Sequence, residues 1–339
     1  MQIFSPQFNS ARPLRSRAGF SILEVLVASA VLALLLVAML SMTDQVQKTY
    51  RSTLGKAEQF REARVAFESI TRRLSQATLN TYWDYDSPTT PTRYLRQSEL
   101  RFLSGNASGL LSGVSPAISS TTHAVFFQAP FGFTSNSTYG GMESMVNTWG
   151  YFIEFGSDSS LRPTPVNAAG VPEKYRFRLY EMMEPSESLS LYKYTGNSAA
   201  SKTYTGRTWF TDPLNQANRS SRVLAENIVA LIFRPLDPAN AAPDLTTNYT
   251  YDTAGSVANI RNQLPPYIEV TMVAIDEVSA RRLDTGATPP DFGLTGFFTQ
   301  TSNYDQNLED LRKNLNDRKI NYRIFTANVS IQGAKWSRN

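Results

Sequence analysis

From Phe20 to Met42 the chain runs 23 residues with only Ser21, Glu24, Ser29 and Ser41 plainly polar. A helix rises about 1.5 Å per residue, so about 20 apolar residues cross a bilayer core. This run is long enough, and no second window of its kind follows. The pattern predicts a single membrane span, with residues 1–19 inside and the rest outside. Arg12, Arg15 and Arg17, with no acid beside them before the span, suit the cytoplasmic side. Glu24 is the anomaly. An ionised acid at the centre of a membrane helix costs about 2.5 to 3.5 kcal/mol, so it marks a partner, a cavity or a neutralising charge.

An ordinary secretory signal is cut after its apolar stretch, at small residues. Here the candidate junction, Gly19/Phe20, precedes that stretch, so the helix would stay with the mature chain. The combination of basic leader, Gly19-Phe20, three residues, Glu24 and some twenty apolar positions resembles the class III signal of the type IV prepilin and type II secretion pseudopilin superfamily. The resemblance implies that a prepilin peptidase cuts between Gly19 and Phe20 and methylates Phe20. It also implies that Glu24, fifth in the mature chain, is neutralised by the Phe20 amino group of an adjacent subunit during assembly. Ala28, Ser29, Ala30, Ala33 and Ala38 would allow close helix approach, although ordinary membrane composition also accounts for them. A simple signal anchor with an incidental Glu24 is the plainer alternative.

Beyond the span, larger apolar or small residues fall at Val46, Tyr50, Leu54, Ala57, Phe60, Ala63, Phe67, Ile70, Leu74 and Ala77. Steps of three and four mark a sustained helical stripe. Lys56, Glu58, Arg61, Glu62, Arg64, Arg72 and Arg73 fill the other face, as in an amphipathic helix packed on a domain. The reading predicts one helix from Phe20 to near Thr78, roughly 90 Å long, loosened at Gly55. The expected segments are a leader over 1–19, a transmembrane half over 20–42, an amphipathic half over 43–80 and a β-rich extracytoplasmic domain over 81–339.

The formal charge of +4 is largely a leader effect. Without residues 1–19 three of the 33 basic residues go, leaving +1 against 29 acids. That balance gives no concentrated basic face, so no nucleic-acid partner is expected. Cysteine is absent from the sequence, which excludes disulfides and thiolate metal sites. The length after the helix allows one large or two small cores.

Candidate strands are Glu99–Leu103, Ala124–Gln128, Trp149–Phe155, Tyr175–Tyr180, Leu191–Tyr194, Ile228–Phe233, Tyr267–Ile275 and Tyr322–Ser330. In the fourth, Tyr175, Phe177 and Leu179 alternate with Arg176 and Arg178, the pattern of a half-solvated antiparallel strand. Val223–Phe233 reads as a buried strand or as a short helix turning into one. Residues 104–122 and 235–265, rich in Ser, Thr, Asn, Ala, Gly and Pro, read as long surface loops with little core. The fold class is therefore α+β and pilin-like: a long N-terminal helix packed on antiparallel sheets with long loops. The strand order is similar to that of the minor pseudopilin of the J type and the W-type minor pilin. Val273–Ala280 resembles the Verru_Chthon cassette protein C group.

No catalytic constellation is readable, and an enzyme is not expected. His123 is the only histidine, which rules out a triad or a two-histidine metal site, and a satisfied strand-edge imidazole is the reading. The acid pairs Asp84/Asp86 and Asp276/Glu277 lack the oxygen spacing of a calcium loop and read as solvated loop acids. No cofactor is expected. Two functional classes stand: a minor pilin or pseudopilin whose partners are the prepilin peptidase, sister pilins and the inner membrane, or a membrane-anchored surface-displayed binding module. For the second, Tyr139, Trp149, Trp209 and Tyr249 to Tyr251 form a candidate contact patch, with core packing as the alternative.

Overall fold

The computed structural model describes residues 21–87, 89–193, 206–215, 219–284 and 286–336. In chain order the elements are α1 (Ile22–Leu74), β1 (Tyr82–Tyr85), β2 (Tyr94–Gln97), β3 (Phe102–Asn106), α2 (Ala107–Leu110), β4 (His123–Pro130), β5 (Val146–Ser157), α3 (Thr164–Ala168) and β6 (Tyr175–Glu184). They continue with α4 (Ser190–Lys193), α5 (Thr208–Asn215), β7 (Ser221–Glu226), β8 (Ile228–Leu236), β9 (Tyr251–Asp252), β10 (Tyr267–Ile275), α6 (Glu277–Arg282), α7 (Tyr304–Asp317) and β11 (Tyr322–Ser330). The chain divides into two units, one ending at Leu54 and the other starting at Gly55.

In the first unit α1 carries a stretch, Ile22–Tyr50, whose most apolar 18 residues have a mean hydropathy of 2.7 and none of which is buried. By length and composition it can cross a membrane. Its hydroxyls are satisfied within the helix, as a lipid environment requires. Ser29 Oγ donates to the Leu26 carbonyl at 2.9 Å, Ser41 Oγ to Ala38 at 2.8 Å and Thr43 Oγ1 to Met39 at 2.8 Å.

The second unit begins with the remainder of α1, which buries Ala63, Ala66, Phe67, Ile70 and Leu74 at steps of three, one, three and four while Arg61, Arg64 and Arg72 stay exposed. The helix ends at Leu74, slightly before the expected Thr78, where Gln76 and Ala77 close tight turns onto the Arg73 and Leu74 carbonyls.

Among the described residues three antiparallel sheets follow: six strands in the order β7-β6-β5-β4-β3-β9, three in the order β11-β10-β8, and the hairpin β1-β2. The six-stranded sheet is buried on both faces. One face carries Val125, Phe127, Tyr151, Ile153, Phe177 and Leu179 into a large core shared with α1, the three-stranded sheet and α7. The other carries Ala124, Phe126, Phe152 and Met182 into a second, smaller core closed by α2 and α5. Phe126 stacks on Phe210 of α5 with ring centroids 4.0 Å apart. Gly150 sits opposite Phe126 in the register; a Cβ there would lie 2.3 Å from its ring.

Burial on both faces overturns the half-solvated reading of Tyr175–Tyr180. Arg176 and Arg178 are 4% and 2% exposed. Arg176 pairs with Asp284 at 2.8 Å, and Arg178 pairs with Glu226 at 3.0 Å while donating to the Gly156 carbonyl. Alternating charge thus marks buried guanidinium groups here, each paired with a carboxylate that is nearer to solvent.

Leu191–Tyr194, expected as a strand, is the short helix α4 as far as Lys193; Tyr194 lies outside the described residues. The Glu184 carboxylate accepts both the Ser190 N–H at 3.0 Å and its hydroxyl at 2.6 Å. That local cap turns the chain as Leu191 enters the second core. Glu99–Leu103 becomes a strand only at Phe102, since Asn80 Oδ1 takes the Glu99 and Leu100 N–H groups instead.

The two long loops are not coreless. Ala107, Leu110, Leu111 and Val114 cover the second core, and Tyr249, Tyr251, Ile260 and Leu264 fill the first. Val223–Phe233 is two strands in different sheets: from Ile228 it is the buried strand expected, while its first residues belong to β7. Between them Asn227 takes a positive φ of 60°.

Candidate functional site

At the start of α1 Ser21 precedes the first helical residue and Glu24 lies in the first turn. The Glu24 N–H donates to Ser21 Oγ at 3.2 Å and to the Ser21 carbonyl at 3.0 Å. Ser21 and Glu24 thus have the spacing and the first limb of a capping box, and a carboxylate in the first turn complements the helix dipole. Glu24 therefore sits at a helix end and not at the middle of the apolar stretch. That placement supplies a local reason for an acid there beside the intersubunit one. Among the described residues no cation reaches its carboxylate. The predicted cleavage pair Gly19/Phe20, and with it the methylation site, lies outside the described residues.

Residues 14–40 match the family model of the Prokaryotic N-terminal methylation motif. No curated protein and no solved structure matches the chain. The matched motif is the prepilin-type cleavage and methylation signal. It makes the chain type IV pilin- or pseudopilin-like, implies processing by a prepilin peptidase and points to a membrane-anchored place in the cell envelope. The long apolar helix followed by antiparallel sheets is a pilin-like α+β arrangement.

The remaining sequence candidates do not converge. His123 opens β4 and is buried. Its Nε2 donates to the Phe298 carbonyl at 2.9 Å, which leaves Nδ1 as the acceptor facing the Phe233 N–H at 3.4 Å. Its ring packs on Tyr249 at 4.6 Å. Burial pushes its pKa down to about 4, only partly offset by the Phe298 carbonyl. This imidazole is a neutral core group with both nitrogens engaged.

Asp276 is a buried N-cap, correcting the loop-acid reading. It accepts the Ser279 N–H at 2.8 Å and an Asn321 amide N–H at 2.9 Å. Its neighbour Glu277 is partly exposed and joins Arg281 at 3.3 Å and Asn227 Nδ2 at 3.0 Å. Asp86 is held in its turn by the Thr92 hydroxyl and N–H groups, which draw its pKa down to about 2. Trp149, Trp209, Tyr249 and Tyr251 are 4% exposed or less, so that candidate patch is core; only Tyr139 is surface-exposed, at 40%.

One constellation was missed. The Glu181 carboxylate, fully buried on β6, accepts from Arg73 of α1 and, at 3.0 Å, from the Tyr151 hydroxyl. Arg222 Nε of β7 donates to its other oxygen at 2.7 Å. Arg73 also lies 4.3 Å over the Trp149 ring. Two guanidinium groups and a phenol satisfy one buried carboxylate and tie the helix to the sheet within the second unit. Desolvation drives the Tyr151 hydroxyl well above the usual phenol range, so it is a donor, not a base. The signal in the sequence was weak: Glu181 lies on the same strand face as Phe177 and Leu179, in a strand that also carries Arg176, Arg178 and Glu184.

Proposed function

We propose that the chain is a minor pilin or pseudopilin, a structural subunit of a type IV pilus or a type II secretion pseudopilus. Leader cleavage between Gly19 and Phe20 and methylation of Phe20 precede its assembly. The observation that carries this reading is the methylation-motif match over residues 14–40, which spans Gly19, Phe20 and Glu24. On this reading residues 1–19 are removed, 20–42 anchor the chain in the inner membrane, 43–80 extend the helix, and 81–339 stand outside the cytoplasm. Glu24 meets the Phe20 amino group of a sister subunit. The succession of strands supports a minor subunit of J-type or W-type character, with the Verru_Chthon cassette protein C group as a related possibility within the class.

The test is mass spectrometry of the mature amino terminus from the membrane fraction of the native host. A chain beginning at N-methylated Phe20 is expected. An intact leader, in a host whose prepilin peptidase processes other substrates, would overturn the reading. It would favour a signal-anchored surface binding module, a reading to which the exposed aromatic hairpin β1-β2 lends specific support.

A further inference from the structure

The β1-β2 hairpin pairs with neither larger sheet. Its register sets Trp83 opposite Arg96 and Tyr85 opposite Tyr94, so all four lie on one face. Tyr85 and Tyr94 stack at 4.7 Å, with their hydroxyls 3.1 Å apart, and the Arg96 guanidinium sits 5.4 Å over the Trp83 ring. A two-stranded hairpin is marginal in water by itself, and these cross-strand pairs help hold it. They do not cover the rings: Trp83, Tyr85 and Tyr94 remain 64%, 50% and 61% exposed. The opposite face, Tyr82, Asp84, Leu95 and Gln97, is the half-buried one.

The exposed face runs into a groove of about 220 Å³ bordered by Trp83, Arg96, Asn262, Gln263 and Lys335. Its edge is braced: Asn262 donates its amide N–H to the Arg96 carbonyl at 2.6 Å, and Gln263 donates to the Asn259 carbonyl at 3.0 Å. Among the described residues two cations and no carboxylate line it.

We propose that this face and groove form a binding site for an acidic saccharide. Sugar rings present a flat array of C–H groups bearing partial positive charge, which complements the negative face of an aromatic ring. Side-chain amides suit hydroxyls, and Arg96 and Lys335 suit a carboxylate or sulfate. The groove is smaller than a drug-sized pocket of about 300 Å³, so it takes one ring while the neighbouring rings lie over the open tyrosines. The fixed ring pairs make the surface ready before the ligand arrives, which lowers the ordering cost of binding. The proposal stands apart from filament assembly, since it draws only on residues of the second unit.

The test is isothermal titration calorimetry of the detergent-solubilised full chain with trigalacturonate, an alginate trimer and a hyaluronan tetrasaccharide, with cellotriose as the neutral control. Saturable binding of at least one acidic sugar, tighter than cellotriose, is expected. Trp83→Ala should weaken it at least about tenfold, and Arg96→Gln should erase the preference for the acidic sugars, with Tyr139→Ala as a silent surface control. Circular dichroism checks the fold of each variant; should Trp83→Ala unfold, Arg96→Gln carries the test. No saturable binding to any of the acidic sugars, or binding that survives both substitutions, overturns the proposal. Loss of co-purifying sister subunits on Trp83→Ala, with no sugar binding in the parent chain, would overturn it in favour of a subunit contact.

Discussion

Arg73 on α1 donates to Glu181 on β6, a carboxylate with no solvent exposure. The pair joins residues 108 positions apart and links the helix to the sheet. Burying such a group costs several kcal/mol unless every oxygen is matched, and here Arg222 and Tyr151 complete the set.

Removing one member of this cluster leaves the others with fewer partners. Arg73→Ala is expected to destabilise the chain less than Glu181→Ala, because Arg222 and Tyr151 still reach Glu181 in the first case. Glu181→Ala, which leaves the buried Tyr151 hydroxyl without its acceptor while Arg73 and Arg222 still reach solvent, should cost about 1 to 3 kcal/mol. Thermal and urea unfolding of the detergent-solubilised chain measures both. Equal and small losses would show that solvent already satisfies the cluster.

Glu24 is expected to matter for assembly, not for processing. Glu24→Gln keeps the side chain's shape and removes its charge; Glu24→Ala removes both. If the charge meets a sister subunit's Phe20 amino group, both variants are cut and inserted normally but fail to enter filaments. Breaking a buried pair costs about 3 to 5 kcal/mol. Co-assembly of Glu24→Gln at the parent level, read by immunoblot of sheared filaments, would reduce the acid's role to the helix-terminal one that Ser21 already frames.

His123 gives a pH dependence with a definite sign. Its pKa is lowered in the fold to about 4 from 6.5, so the unfolded chain binds the extra proton in between. Stability from this group is complete above pH 6.5 and is lost as the pH falls toward 4, by about 3 kcal/mol in all. As the only histidine, it should account for most of the slope between pH 6.5 and 5, above the carboxylate range. Gln at 123 can still donate to the Phe298 carbonyl, so His123→Gln should flatten that part of the curve. An unchanged slope in urea titrations at stepped pH would contradict this.

Asn227 moves the chain from one sheet to the other. Its N–H donates to the Phe177 carbonyl of the six-stranded sheet at 2.7 Å, and its own carbonyl accepts the Ile275 N–H of the three-stranded sheet at 2.9 Å. The left-handed φ is tolerated by Asn and Gly and costs about 1 to 2 kcal/mol in other residues. Asn227→Gly should therefore be milder than Asn227→Val by roughly that amount, measured by equilibrium unfolding. Equal losses would place the cost in the lost Glu277 contact instead.

The apolar stretch Ile22–Tyr50, the methylation motif and the strands Tyr267–Ile275 and Tyr322–Ser330 were legible because each is written locally: continuous hydropathy, a fixed spacing, or a run rich in β-branched and aromatic residues. Helix α7 was legible in principle, with Tyr304, Leu308, Leu311 and Leu315 at helical steps, but it falls among strands and was passed over. The burial of Arg176, the break at Asn227 and the partners of Glu181 were not legible. Each depends on residues tens of positions away, and a charged residue on a strand does not say which distant group it meets.

The sequence by itself determined the anchor, its signal and the α+β class, because lipid and a peptidase read a linear stretch and a 3.6-residue period needs only neighbours. Only the tertiary structure decided how the strands divide into sheets, which charges are buried and which aromatics remain open on the β1-β2 face. Those outcomes follow from which distant surfaces exclude water from one another, and that is settled when the chain packs.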